Sequence, residues 1–144
     1  MKRFLLLCSA LFVFAVAKAQ DDSLPEVKHI TKEEFLEKVY DYEKNPDKWV
    51  FKGDKPCIFI FHATWCPPCR ETLPNLELIN FDYGDKIDIY QINVDMQYEL
   101  ALHFKLQNIP TIYTCPKDGS EPRVFIQVMT YENFVDVIES DLLK

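Results

Sequence analysis

Glycine, basic charge and long apolar stretches are all scarce in this chain of 144 residues. Only 3 residues are glycine, yet 14% are aromatic and 48% hydrophobic, and no internal repeat is visible. That composition excludes a disordered or low-complexity chain and fits one globular domain with a sizeable core. Acidic residues number 23 against 16 basic ones, and no basic stripe stands out. Nucleic acid and anionic membrane surfaces are therefore poor partners. A single long apolar run, Phe4 to Ala17, sits at the very start, and no second one follows.

That opening stretch, "MKRFLLLCSALFVFAVAKAQ", has a basic start at Lys2 and Arg3 and a small-x-small pattern at Ala17-Lys18-Ala19. The apolar run is short for a membrane span and ends on a cleavage-type sequence. It reads as a secretory signal peptide over residues 1–19, with residues 20–144 forming the mature domain. A lipoprotein reading through Leu7-Cys8 is weak, because almost no apolar region precedes that cysteine. Cleavage removes three basic residues and no acid, taking the formal charge from −7 to about −10. The expectation is an exported, periplasmic protein with no stable membrane insertion after cleavage.

Four cysteines remain: Cys57, Cys66, Cys69 and Cys115. About 125 residues can bury a core without a disulfide framework. Cys57 and Cys115 lie inside apolar runs, where free cysteine behaves as a small hydrophobe. Cys66 and Cys69 are different, bracketing two prolines in "FHATWCPPCR".

The surrounding pattern places that motif. "DDSLPEVKHI" reads as an exposed lead-in. Thr31 and Glu34 form a capping box for a helix with Phe35, Val39 and Tyr42 on one face, stopped at Asn45-Pro46. "KWVF" reads as a short strand and "KGDKP" as a turn. "CIFIFHA", residues 57–63, is a continuous apolar run and reads as a buried central strand. "PPCRETLPNLELINFDY" carries Leu73, Leu76 and Ile79 at helical spacing, with Pro74 expected to kink it. "KIDIYQINVD" alternates as a strand whose inward face includes Gln91, and "MQYELALHFKL" reads as a helix. "TIYTC" and "RVFIQVM" read as a hairpin across "PKDGSEP", and "TYENFVDVIESDLL" as an amphipathic helix burying Phe134, Val137, Ile138 and Leu142. The order βαβα then ββα predicts an α/β fold, with a central mixed sheet covered by helices on both faces.

The cysteine pair thus marks a strand-to-helix junction. Zinc needs four ligands, and no second Cys-x-x-Cys or His pair follows; haem attachment needs His where the chain has Arg70. No metal and no small-molecule cofactor is called for. At a helix start, residues i and i+3 share a face and can close a small disulfide ring. Cys66 at the cap meets unpaired backbone N–H groups and the positive end of the helix dipole, which favour its thiolate and make it the attacking sulfur. Cys69, in the first turn and more buried, is the resolving sulfur. Pro67 and Pro68 are tolerated in a first turn. Each withholds an N–H from the thiolate, so the couple is expected to be less oxidising than one with His between its cysteines.

"ATWCPPC", the helix proline Pro74 and "NIPT" at 108–111 together resemble the thioredoxin superfamily, over about His29 to Leu142. The resemblance implies a thioredoxin fold and a thiol–disulfide oxidoreductase exchanging electrons with protein thiols and disulfides, and the signal peptide places it in an extracytoplasmic compartment. It implies that Pro110 is a cis proline facing the dithiol, and that Trp65, Pro67, Ile109 and Pro110 form the docking surface. A reductant or isomerase is favoured, resupplied by a membrane electron-transfer protein. A disulfide-donating oxidant, or a binding or chaperone-like module with little turnover, are the alternatives.

The chain also departs from that family. The buried Asp that assists the second cysteine is replaced by Ile60, and the Lys usually paired with it by Gln91. An aromatic position near the motif is His62, on the same face as Ile60. His62 either tunes the thiolate and shuttles a proton, or fills an aromatic-sized slot and hydrogen-bonds locally. The fold implied sets Cys57 and Cys115 on adjacent antiparallel strands, away from the dithiol, as two buried thiols or a second disulfide.

Overall fold

The computed structural model describes residues 25–144; the signal-peptide reading of residues 1–19 lies outside the described residues. The described residues form five strands and four α-helices, in the order β1 Lys28–His29, α1 Lys32–Lys38, β2 Cys57–His62, α2 Pro67–Tyr83, β3 Asp88–Asn93, α3 Tyr98–His103, β4 Thr111–Cys115, β5 Arg123–Phe125 and α4 Tyr131–Val137. A π-helical turn, Ile138–Leu142, extends α4. The strands form one sheet in the order β1-β3-β2-β4-β5. β1, β3 and β2 run parallel, while β4 is antiparallel to both β2 and β5.

Every residue of β2 is buried, as its unbroken apolar run requires of a central strand. Its alternation divides the core. Ile58 and Ile60 pack with Leu76 and Ile79 of α2 and Phe134 and Val137 of α4. Phe59 and Phe61 pack on the opposite face with Phe35 of α1 and Leu100 of α3. The expected mixed sheet with helices on both faces is what the chain forms.

Several local readings need correction. Residues 25–30 are not an exposed lead-in: Lys28 and His29 pair with Tyr90 and Gln91, and Val27 and Ile30 are buried. An edge strand of two residues carries its information in backbone pairing, and its own side chains are exposed. α1 has the expected capping box at Thr31 and Glu34 but ends at Lys38, well short of Asn45-Pro46. Val39 O accepts from Lys52 N, and Tyr40 bridges Phe51, so a tertiary contact stops the helix and leaves Tyr42 half-buried outside it. "KWVF" contributes that single bridge and no strand. β5 ends at Phe125 and does not run on to Met129. Gly119, at φ +80°, supplies the left-handed residue of the β4–β5 turn.

Candidate active site

α2 begins where β2 delivers the chain to the edge of the sheet. Cys66 is its N-cap, in extended conformation, with Pro67 and Pro68 as the first two helical residues. Those two positions have no N–H to give, so the cap sulfur receives a single backbone donor, Cys69 N at 3.3 Å. Cys66 and Cys69 are joined as a disulfide, their Cα atoms 5.3 Å apart. Both cysteines are buried, Cys69 completely, while Pro67 is exposed at the rim.

The facing wall comes from the segment ahead of β4. The Ile109–Pro110 peptide is cis. The Ile109 carbonyl oxygen lies 3.6 Å from Cys66 Sγ, and Ile109 packs with Ala63, Cys66, Cys69 and Val94. Beside this contact runs a groove of about 310 Å³, bounded by Pro68, Ile109 and Pro110 and, opposite them, by Ile126, Gln127 and Val128. Its far wall is pinned to α2, because Met129 N donates to the buried Thr72 Oγ1 at 3.3 Å and Asn75 Nδ2 donates to Met129 O. Trp65 is 64% exposed, and its Nε1 donates to Asp95 Oδ2 at 2.8 Å, which tethers the indole on the surface. Asp95 is itself oriented by an N–H bond to Asn93 Oδ1.

Cys66, Cys69, Pro67, Ile109 and Pro110 are therefore brought together, with Trp65 alongside. His62 makes no hydrogen bond to any of them. It is buried at 3% exposure, and neither ring nitrogen has a hydrogen-bond partner. Local hydrogen bonding by His62 is thus not observed. Burial, with His29 5.9 Å away ring to ring, pushes its pKa down to about 4. Ile60 and Gln91 face each other across β2 and β3. The Gln91 amide is not idle: Nε2 donates to Val27 O at 2.8 Å, tying the β1 segment to the sheet. The position that sequence reasoning marked as a lost charge is an anchor for the edge strand.

Asp95, Thr72 and residues 126–128 were not singled out from sequence. Asp95 carries no motif of its own. Ile126 to Val128 read as the continuation of a strand, and only the strand's end at Phe125 reveals them as a groove wall.

A dithiol capping a helix, opposite a cis proline at the edge of a mixed sheet, defines a thiol–disulfide oxidoreductase. The comparisons agree. The Thioredoxin family profile matches residues 26–140. Thioredoxin of Borreliella burgdorferi is 38% identical over 109 residues, spanning 74% of this chain and 92% of the relative. Thioredoxin of Staphylococcus haemolyticus is 35% identical, spanning 69% of this chain and 93% of the relative. The crystal structure of chloroplastic thioredoxin z superposes with a TM-score of 0.64 at 21% identity, covering 81% of this chain and 95% of that one, a likeness of fold. This chain belongs to the thioredoxin family. Its chemistry is thiol–disulfide exchange with protein thiols and disulfides.

Proposed function

We propose that the protein is exported and works in the periplasm as a reductant or isomerase of disulfides in other proteins. In this reading the Cys66 thiolate attacks one sulfur of a substrate disulfide, forming a mixed disulfide and releasing the first substrate thiolate. Cys69 then attacks Cys66 Sγ, and the second substrate thiol leaves. Two electrons pass to the substrate, whose two thiols take up the protons lost by Cys66 and Cys69. Trp65, Pro67, Ile109 and Pro110 form the surface that receives the substrate chain, and a membrane electron-transfer protein restores the dithiol.

The observation that carries the direction of flow is the cap itself. Cys66 Sγ has one backbone donor, from Cys69, because Pro67 and Pro68 have none to offer. A thiolate stabilised only modestly leaves the reduced form less favoured, which suits a dithiol that gives its electrons away. The N-terminal pattern of basic start, apolar run and Ala17-Lys18-Ala19 supports export. At pH 7, His62 with its pKa near 4 is neutral and brings no positive charge to the thiolate, which supports the slot-filling reading.

Equilibration of the Cys66–Cys69 couple against glutathione tests the direction. A potential near −270 mV is expected, about that of thioredoxin; one near −120 mV assigns a disulfide donor instead. Failure to reduce insulin disulfides at any potential would leave a binding module.

A further inference from the structure

Among the described residues, Cys57 and Cys115 are the two thiols that the redox chemistry leaves unused. They open β2 and close β4, at the end of the sheet away from the dithiol, and they are direct register partners. Both are buried, at 1% and 0% exposure, and both side chains lie in the cluster on the α1–α3 face. The structure shows them as free thiols.

Their spacing follows from the sheet. Pro56 O and His62 O accept from Asp88 N and Val94 N, so the even-numbered backbone groups along β2 point to β3. The odd-numbered groups then point to β4, which makes Cys57 and Cys115 a hydrogen-bonded antiparallel row. Such rows hold their Cα atoms about 5.5 Å apart. That lies within the Cα range a disulfide spans, about 4.4–6.8 Å, with side chains on the same face. The Cβ atoms, about 5.5 Å apart in such a row, have to close by about 1 Å to form the bond. The bonded Cys66–Cys69 pair is separated by 5.3 Å.

We propose that Cys57 and Cys115 form a second, structural disulfide in the oxidised protein, made while the chain folds. Two thiols are oxidised to one disulfide, and an external disulfide of the glutathione type is reduced to two thiols, taking the two electrons and two protons. The step belongs to folding because the closed sheet admits no oxidant to residues this buried. Burial and the neighbouring Cys57 also push the Cys115 thiol well above its usual pKa, so the folded dithiol holds little of the thiolate that exchange requires. Once made, the bridge resists reductant for the same reasons. It closes a loop of about 60 residues. It also staples the two strands whose opposite ends present the dithiol and the cis proline.

The test refolds reduced full-length protein into a glutathione and glutathione-disulfide buffer. The native protein is then blocked with one alkylating label and, after unfolding without reductant, treated with a heavier one. The expected result is a proteolytic peptide linking Cys57 to Cys115, with neither residue labelled. Heavy label on both, or linkage of either to another cysteine, overturns the proposal. A second measurement uses the variant Cys66→Ser/Cys69→Ser, whose remaining sensitivity to reductant has to come from elsewhere. Its urea midpoint should fall when reductant is present throughout unfolding, and should stop responding once Cys57→Ala and Cys115→Ala are added. A midpoint of Cys66→Ser/Cys69→Ser that is the same with and without reductant also overturns it.

Discussion

His62 illustrates how a single residue can look catalytic and be something else. It ends the strand that leads to Cys66, yet its ring is buried without a hydrogen bond and its pKa falls to about 4. The linkage to stability has a definite sign. In the unfolded chain an ordinary His titrates near 6.5 and takes a proton that folded His62 refuses. Stability is therefore full above about pH 6.5 and declines as pH drops toward 4, by up to about 3 kcal/mol. Replacing His62 with Phe should flatten this decline in urea unfolding measured at pH 7.5 and pH 4.5. The same variant should leave the apparent pKa of the reactive thiol within about half a unit, since a neutral ring contributes no charge to it. A larger change would restore His62 to the proton chemistry. The replacement was legible in sequence, but its consequence was not: whether a buried imidazole finds a partner depends on residues such as His29, thirty-three positions away and on another strand.

At the scale of elements, what could be read from sequence was whatever is encoded locally. The unbroken apolar run of β2, the capping box of α1 and the strand Thr111–Cys115 all appear where the pattern puts them. The stops of α1 and β5 were misplaced, because each is set by something distant: the Tyr40–Phe51 bridge for the helix, and, beyond the strand, the bonds that Met129 N donates to Thr72 Oγ1 and Met129 O accepts from Asn75 Nδ2. The start of α2 is local, and its chemistry can be tested within one turn. Pro68 occupies the second helical position, where most residues would offer an N–H to the cap. Pro68→Ala restores that donor. A hydrogen bond to a charged acceptor contributes about 1.5 kcal/mol or more, so the Cys66 pKa should fall by about one unit. The couple should become more oxidising by up to about 30 mV once pH exceeds both values, and by less at pH 7. Alkylation rates of the reduced variant against pH report the first effect. An unchanged profile would mean that the cap sulfur is already satisfied by Cys69 N.

For the whole molecule, the fold and the dithiol were legible in sequence because they rest on a contiguous motif and on periodicity. The groove was not, since it joins three segments that are separate in sequence: the start of α2, Asn108 to Pro110 and Ile126 to Val128. What the groove accepts is shaped by charge as well as by fit. The full chain carries a formal charge of −7, and the mature form proposed above about −10. Around the dithiol the exposed residues include the uncharged Trp65 and Pro67, one acid, Asp95, bonded to the indole, and one base, Arg70, right after Cys69, so the local charges are balanced and the overall field is left to act. Substrate disulfides set among Lys and Arg should therefore be drawn in faster than those set among Asp and Glu. The difference should appear in kcat/KM as a ratio of several-fold or more at about 20 mM salt, where screening is weak. At about 0.5 M salt the Debye length falls below half its value at 0.1 M, and the ratio should approach one. Two disulfide peptides identical except for their flanking charges are enough to measure it. A ratio that does not respond to salt would place selectivity in direct contacts within the groove, with Gln127 and Asn108 the first side chains to replace.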